Sequence, residues 1–147
     1  MNVNLSIHLL CELTNSLQLR FGFFYGPGTW YHPGEDVANQ IQQQQFPVIG
    51  KGEGVWNFVH IEDAAKAVVD AIQSAPGAYN IVNDQPSEMR IWLPAFAKYL
   101  GAPSPPKITE EEGLKIKGVD SVYYATKLRG ASNQKAKQEF NFKPRSL

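Results

Sequence analysis

A strongly apolar run at residues 17–24 limits what this chain can fold into more than any other feature of its sequence. The run is followed at once by Tyr25-Gly26-Pro27-Gly28, which is rich in the residues that end regular structure. A continuous apolar strand suits a parallel sheet that is covered on both faces. The run therefore predicts a buried parallel strand that ends in a turn.

Helical and extended patterns alternate along the rest of the chain. The strongest helical pattern lies at residues 62–75, where Ile61, Ala65, Val68 and Ile72 recur at helical spacing and are expected to face the core. Pro94 indicates that a later helix begins late or kinks. A short apolar piece lies at residues 46–49, strands are expected at 55–60 and 78–82, and further helices at 34–44, 93–100, 110–115 and 133–140. This alternation predicts an α/β fold.

Composition excludes several classes of protein. The 147 residues are 43% hydrophobic and carry 14 basic and 14 acidic side chains, which is the profile of one globular domain with no basic patch for nucleic acid. No stretch approaches the ~20 apolar residues that a membrane span needs, and the N-terminus lacks the pattern of a signal peptide. Cys11 has no partner for an intrachain disulfide and is expected to be a buried small hydrophobe. We therefore expect a cytoplasmic protein.

The segment Gly50-Lys51-Gly52-Glu53-Gly54 resembles part of a phosphate-binding loop. A dinucleotide loop must join a strand to the N-terminus of a helix, where free amides meet the pyrophosphate. Here the glycines precede another predicted strand, so the segment indicates a tight turn.

Two further patterns look catalytic and are not expected to be. Tyr123 and Lys127 have Tyr-x-x-x-Lys spacing, but about 0.4 such pairs arise by chance in this composition. His8, His32 and His60 lie on separate segments without metal-ligand spacing, so no metal site is expected. His60 is expected to be structural, whereas His32 lies in an aromatic, proline-containing loop and is the histidine expected to face a ligand.

Several segments in order resemble the NAD-dependent epimerase/dehydratase family, the extended short-chain dehydrogenases. Leu-Arg at 19–20 followed by Tyr-Gly-Pro at 25–27 is similar to that family's strand and loop. The stretch 56–65, Trp-Asn-Phe-Val-His-Ile-Glu-Asp-Ala-Ala, is similar to its next strand-to-helix segment, and Tyr-Asn-Ile at 79–81 to the strand that follows. Residues 129–144 are similar to its closing segment. Together these landmarks span residues 17–144.

The resemblance implies the C-terminal part of a Rossmann-type α/β fold, with the last sheet strands and the smaller substrate-binding subdomain. Residues 1–30 would be the remnant of the Rossmann sheet with the Tyr-Gly-Pro loop, and residues 31–147 would be mostly substrate-binding subdomain. The family's cofactor loop and catalytic Tyr-Lys pair lie before the Leu-Arg strand, so the chain is expected to be truncated and to contain no catalytic residues. The cofactor implied is NAD or NADP, with Tyr25, Gly26 and Pro27 bordering the nicotinamide.

Two departures from the family pattern bear on the substrate. The family commonly has Asn at the position of Phe23, and Arg-Asp at the positions of Trp56 and Asn57. An indole cannot bind a diphosphate as a guanidinium fork does, so a typical nucleotide sugar is not expected. In this interpretation Phe23, Trp30, His32 and Trp56 face the substrate. Aromatic residues at positions 23, 24, 30, 31 and 56 line an apolar pocket or, equally, pack the core.

Two kinds of function follow from this resemblance. The first is the substrate side of an NAD(P)-dependent oxidoreductase acting on a small molecule, without turnover by this chain alone, in which Asp63 caps the helix that follows. The second is a non-enzymatic assembly module that completes a partner chain, and the sequence equally allows a gene remnant. Because a parallel strand with open edges must find cover, a homo-oligomer or a complementing N-terminal chain is expected.

Overall fold

A computed structural model describes residues 13–146 of this chain, so the expectations for Cys11 and His8 lie outside the described residues. Over that range the chain forms eight strands and six helices. The strands are β1 (Leu17–Phe21), β2 (Phe23–Tyr25), β3 (Val48–Ile49), β4 (Val55–Trp56), β5 (Phe58–His60), β6 (Gly77–Ile81), β7 (Ser87–Glu88) and β8 (Lys107–Ile108). The helices are α1 (Asp36–Gln42), α2 (Ile61–Ala71), α3 (Met89–Tyr99), α4 (Glu110–Ile116), α5 (Val119–Thr126) and α6 (Gln134–Phe140).

The strand pairs are mainly parallel, as the apolar run predicts. β1 pairs with β6, with Leu17 opposite Gly77, and β2 pairs with β5, with Phe23 opposite Phe58. β3 and β8 form a third parallel pair, while β4 and β7 pair antiparallel. Helix α2 directly follows β5 and packs against β1 and β5. The α/β fold is therefore confirmed.

The apolar run forms two strands instead of one, and the break lies at Gly22. The amide of Gly22 donates to the Ile81 carbonyl oxygen at 3.1 Å, whereas the amide of Phe23 donates to the Asn57 carbonyl oxygen at 2.9 Å. The chain thus changes its hydrogen-bonded neighbour at this residue. A Cβ atom on Gly22 would lie 2.7 Å from the Asn57 carbonyl oxygen, so this approach of two backbones requires glycine.

Two hydrophobic clusters lie on opposite faces of β5. Phe58 belongs to the larger cluster and Val59 to the smaller one, because successive side chains of a strand point to opposite faces. The larger cluster includes Ile41, Trp56, Phe58, Trp92, Leu93 and Val122, and the smaller one includes Val59, Ala64, Ala67, Tyr79, Ile81 and Phe142. Residues on both sides of position 30 contribute to each cluster, and the domain boundary expected there remains a prediction.

Helix α2 buries a different face from the one predicted. Ala64, Ala67 and Ala71 are buried, whereas Val68 and Ile72 are 46% and 70% exposed. Both sets of residues have helical spacing and differ by about one residue of rotation, so periodicity alone does not choose between them. The small alanines let the helix backbone lie close to the strands beneath it, and this close approach decides the face.

The glycine segment at residues 50–54 is a turn, as predicted, and it also caps a helix. The amides of Gly52 and Gly54 donate to the carbonyl oxygens of Ile49 and Ala125, at 3.1 and 2.8 Å, so neither amide is free to hold a phosphate. The carbonyl oxygens of the same two glycines accept from the amides of Arg90 and Met89, the first residues of α3. This satisfies amides that a helix N-terminus otherwise leaves without partners.

Helix α3 begins at Met89 and runs through Pro94 to Tyr99, so the late start is wrong and the alternative, a kink at Pro94, stays a prediction. The glycine turn explains this start, because its carbonyl groups accept the first amides of the helix before the proline is reached.

Buried asparagine side chains connect the end of β6 to β5. The backbone amide of Asn83 donates to the Phe58 carbonyl oxygen at 2.7 Å, and the side-chain oxygen Oδ1 of Asn83 accepts from the Phe58 backbone amide at 3.0 Å. The Asn83 Oδ1 also accepts from Asn57 Nδ2 at 3.3 Å, and Asn57 Oδ1 accepts from the amide of Ala131 at 2.7 Å. Asn57 and Asn83 are 7% and 3% exposed, so these bonds form away from water. They fix Phe58 in register with the segment after β6.

Replacing Asn83 with leucine should destabilise the fold strongly. The variant keeps a similar side-chain size but leaves the buried amide of Phe58 without an acceptor, which costs about 3 kcal/mol of unfolding free energy. Urea denaturation followed by circular dichroism measures the loss. Asn39→Leu on α1, where the amide is exposed, is the control and should change stability by less than about 0.5 kcal/mol. Equal midpoints for the two variants would contradict the role assigned to Asn83.

Candidate functional site

A cleft of about 730 Å³ lies beside the parallel strands β2 and β5, with Tyr25 at the carboxyl end of β2 and Phe58 at the start of β5 in its lining. Its walls come from the turn after β2, from the loop before β7, from α3 and from the C-terminal segment. The lining residues are Tyr25, Gly26, Tyr31, Pro33, Phe58, Gln85, Pro86, Ser87, Ile91, Trp92, Ala95, Phe96, Tyr99, Arg145 and Ser146. In α/β folds ligands bind outside the carboxyl ends of the strands, which makes this cleft the candidate site.

The turn after β2 is held by Gly26. Its φ of +105° lies in a region where the backbone of any residue with a side chain is strained, and a Cβ atom at this position would lie 2.6 Å from His60 Nε2. The amide and the hydroxyl of Thr29 both donate to the Gly26 carbonyl oxygen, at 3.2 and 2.8 Å. This closed turn leads the chain from Tyr25 into the loop that carries Tyr31.

Aromatic rings make up most of the cleft wall. Tyr31 packs edge-on against Phe58, with ring centroids 5.4 Å apart, and against Trp92, with centroids 6.0 Å apart. Phe96 and Tyr99, one turn apart on α3, stack with an interplanar angle of 14°. Tyr99 is 73% exposed and therefore stands at the edge of the cleft, whereas Trp92 is 8% exposed and forms part of its floor.

The C-terminal segment is tied to the start of α2 by ion pairs. The Arg145 amide donates to Asp63 Oδ2 at 2.8 Å, Arg145 Nε donates to Asp63 Oδ1 at 3.1 Å, and its terminal nitrogen donates to Glu62 Oε2 at 3.0 Å. The hydrogen bond with Asp63 raises the pKa of Arg145. The residue that caps α2 is His60, whose Nδ1 accepts from the Glu62 amide, so the expectation that Asp63 is the cap is wrong. His60 is structural, as predicted.

Two enclosed polar atoms of cleft-lining side chains have no hydrogen-bond partner among the described residues. They are the Tyr25 hydroxyl and the Trp92 indole nitrogen Nε1. Burial raises the pKa of Tyr25, the charge of Asp63 raises it further, and Arg145 opposes the shift. Burial also raises the pKa of Tyr31. Both phenols are therefore protonated at neutral pH, and the two unpaired groups are hydrogen-bond donors.

Only two of the three residues expected to bind the cofactor line the cleft. Tyr25 and Gly26 line the cleft, and Pro27 is the exposed residue that follows them in the turn. A contact of Tyr25, Gly26 and Pro27 with the nicotinamide stays a prediction.

The residues expected to face the substrate do not come together around the cleft. Phe23 and Trp56 stack on each other in the larger cluster, with centroids 4.2 Å apart, and Trp56 Nε1 donates to the Tyr124 carbonyl oxygen at 2.8 Å. Trp30 is 70% exposed, and the half-buried His32 donates through Nδ1 to the Pro33 carbonyl oxygen at 3.0 Å. None of these four side chains lines the cleft as described, and their contact with a substrate stays a prediction.

Sequence reasoning missed several lining residues. Trp92, Phe96 and Tyr99 recur at helical spacing on α3. This apolar spacing is the signal that was available. The sequence places Phe58 on a strand but does not show which face of the sheet its side chain is on. Arg145 has no local signal, because its partners Glu62 and Asp63 are distant in sequence.

The Tyr-x-x-x-Lys pair lies outside the lining of the cleft. Tyr123 lies on α5 and is 48% exposed, Lys127 follows the end of that helix, and neither lines the cleft. Between residues 13 and 146 there is no cluster of three or more His, Cys, Asp or Glu side chains able to hold a metal ion. The helices in that range are too short or too polar to cross a membrane.

Comparison with known proteins identifies similar chains. Residues 14–82 match the model of the NAD dependent epimerase/dehydratase family. A 3-diazoavenalumate denitrifying reductase from Streptomyces sp is 35% identical over 129 residues, which cover 87% of this chain and 42% of that protein.

Solved structures share the fold. The dTDP-glucose 4,6-dehydratase DesIV of Streptomyces venezuelae, with NAD and DAU bound, aligns with a TM-score of 0.63 at 19% identity, over 88% of this chain and 39% of that one. A human epimerase family protein with NADPH aligns with a TM-score of 0.65 at 16% identity, over 82% and 41%. The chain thus spans less than half the length of these proteins.

Replacing Tyr31 with phenylalanine should reduce the loss of stability at alkaline pH. Because burial raises the pKa of Tyr31 above its ordinary 10.0, the folded protein keeps the phenolic proton to a higher pH than the unfolded chain does. The stability from this difference is present below about pH 10 and is lost as the pH rises through the folded-state pKa.

Urea titrations at a series of pH values measure this effect. The wild type should lose unfolding free energy faster than Tyr31→Phe above about pH 10, while both proteins should respond alike between about pH 6 and 9. Parallel curves above pH 10 would show that the phenol is not held in its protonated form by burial.

Proposed function

We propose that this chain, which matches the model of the NAD dependent epimerase/dehydratase family through residues 14–82, supplies the substrate side of an NAD(P)-dependent oxidoreductase. The single observation that carries this proposal is the position of the aromatic cleft. It opens at the carboxyl end of β2, beside the Tyr25-Gly26 turn that resembles the family's loop near the nicotinamide, and reaches Phe58 at the start of β5. Ligands of α/β folds bind at that edge.

The proposed substrate is a small apolar molecule and not a typical nucleotide sugar. Arg145 is the one charged residue among the lining residues that the structure describes, and its guanidinium already contacts Asp63 and Glu62. A diphosphate would need a free cationic group, preferably an arginine fork. At the position where sugar-nucleotide enzymes commonly have that arginine, Trp56 is 4% exposed and packed on Phe23.

The proposed cofactor is NAD or NADP, held mainly by another part of the enzyme. Solved relatives contain NAD in the dTDP-glucose 4,6-dehydratase and NADPH in the human epimerase family protein. In this chain, the glycine amides at positions 52 and 54 are bonded within the protein, and the Tyr123–Lys127 pair lies off the cleft. In this proposal residues 1–30 bring the last part of the Rossmann sheet and residues 31–147 bring mostly the substrate side. Turnover would then require a polypeptide that carries the cofactor loop and the catalytic pair.

The purified chain alone should show no turnover with NADH or NADPH. Isothermal titration calorimetry at increasing cofactor concentration, together with absorbance at 340 nm in the presence of small carbonyl compounds, measures binding and hydride transfer. Since the phosphate-binding amides are missing from the described cleft, we expect binding weaker than about 1 mM, close to −4 kcal/mol or less favourable. Micromolar binding with steady oxidation of NADH by this chain would overturn the proposal that it is catalytically incomplete.

A second part of the proposal concerns what covers the sheet. Within residues 13–146, β1 pairs with β6 alone, and α2, which packs on β1, leaves Val69 and Ile72 67% and 70% exposed. Parallel sheets are normally covered on both faces and at their edges by further elements. We therefore propose that a complementing N-terminal chain or a second copy of this chain completes the sheet.

Sedimentation velocity tests this assembly. The 16.4 kDa chain alone should sediment as a species larger than a monomer at high micromolar concentration. Val69→Lys combined with Ile72→Lys should shift it toward the monomer, because charged side chains on the apolar face resist burial. Val119→Lys on α5, where valine is 72% exposed, is the matched control and should leave the distribution unchanged. A well-behaved wild-type monomer would contradict self-association and leave the complementing chain as the predicted partner.

A further inference from the structure

We infer that the cleft takes an elongated, uncharged apolar ligand laid along α3, and that Ala95 is the residue that admits a ligand of this length. This inference rests on the proposed function, because it identifies the substrate class of the same cleft. It is carried by the residues that α3 contributes to the lining and by their exposure.

One face of α3 runs along the cleft for most of the helix. Its lining residues are Ile91, Trp92, Ala95, Phe96 and Tyr99. They form two neighbouring rows, because residues four apart lie one above the other on a helix surface. At a rise of about 1.5 Å per residue, the first and last of them stand about 12 Å apart along the helix axis. The cleft is therefore long enough for two aromatic rings in line.

The two rows differ in depth. Trp92 is 8% exposed and belongs to the larger cluster, and Phe96 packs against that cluster. Ile91 and Tyr99 are 59% and 73% exposed, and Ala95 between them is exposed as well. The row of Ile91, Ala95 and Tyr99 therefore forms the outer edge of the cleft, and the other row lies deeper.

Ala95 makes a gap in this outer row. On a helix the Cβ atoms of residues four apart are about 6 Å from each other. A long side chain stands one turn before this position, at Ile91, and another one turn after it, at Tyr99, whereas Ala95 has only its Cβ atom. A ligand that lies along α3 must pass this position. A longer side chain there would divide the cleft into two short halves.

The rest of the lining suits an uncharged apolar ligand. Arg145 is the one charged lining residue that the structure describes, and Asp63 and Glu62 already accept hydrogen bonds from its guanidinium. Beside α3 the cleft is lined by Tyr31 and Phe58, whose rings meet edge-on. Burial of an apolar surface is favourable in proportion to its area, so affinity should rise with the length of the ligand.

Phenol and para-phenylphenol test the ligand length on the full chain without cofactor. Both are uncharged at about pH 7 and carry one hydroxyl group, and they differ by one aromatic ring in line. Saturation-transfer NMR titrations measure the affinity of each compound. Because the second ring buries further apolar surface along α3, para-phenylphenol should bind the wild type about tenfold more tightly than phenol, with a dissociation constant of about 1 mM.

Ala95→Leu tests the gap itself. The position is exposed and leucine is a good helix former, so thermal stability should be unchanged. Affinity for para-phenylphenol should fall about tenfold, whereas affinity for phenol should stay within about twofold, because a single ring needs only one half of the cleft. Ala95→Ser, which keeps the gap, should retain both affinities.

Ala65→Leu is the matched control. It adds the same side chain at an exposed alanine of a helix, on α2 outside the cleft, and should keep wild-type affinity for both compounds. Unchanged affinity of Ala95→Leu for para-phenylphenol, or an equal loss for both compounds, would overturn the inference. Equal binding of the two compounds by the wild type would overturn it as well.

Failure of this inference is distinct from failure of the proposed function. Saturable phenol binding without preference for the longer compound would overturn the inference alone. Absence of binding by either compound would overturn the inference and the apolar substrate of the proposed function together. Turnover of NADH by the unaided chain, with the expected effects of Ala95→Leu, would overturn catalytic incompleteness and keep the role of Ala95.

Discussion

The exchange of hydrogen bonds between Asn83 and the backbone of Phe58 is the interaction on which the rest of this structure depends. The Asn83 backbone amide donates to the Phe58 carbonyl oxygen, and the Asn83 side-chain oxygen accepts from the Phe58 amide. Asn83 thus makes both hydrogen bonds that a paired strand residue would make, although it lies beyond the end of β6. Phe58 and Val59 point into the two separate hydrophobic clusters. Because the bonded strand lies between the clusters, fixing its position fixes both of them relative to each other.

The same constraint shapes the cleft. Phe58 lines it directly, and Tyr25 enters it from β2, which is paired with β5 in parallel. Two glycines make the pairing feasible, because Gly22 lets the backbone pass within contact distance of Asn57, and Gly26 turns the chain above His60 where a Cβ atom would collide. The positions of Tyr25 and Phe58 in the cleft are thus set by backbone hydrogen bonds, while other lining side chains come from α3.

Trp56 and Asn57, at the positions where the family commonly has Arg-Asp, both make contacts within the core of this chain. Trp56 packs on Phe23 and donates its indole N–H to the Tyr124 carbonyl oxygen, which joins β4 to α5. Asn57 bonds both Asn83 and the amide of Ala131, so it holds the segment before α6 to the strands. In the described structure both side chains stabilise the core, and this leaves the cleft with aromatic walls and one paired cation.

The sequence by itself determined the α/β class, the parallel strands and the glycine turn, because these follow from local patterns of apolar residues, glycine and proline. Tertiary structure alone decided which face α2 buries, since Ala64 and Val68 have equally helical spacing and only close packing against a strand favours alanine. It also decided that Trp92 lines the cleft while Trp56 stacks in the core, and that Arg145 meets Asp63. These outcomes depend on contacts between residues far apart in the chain, and no local pattern encodes the distance between them.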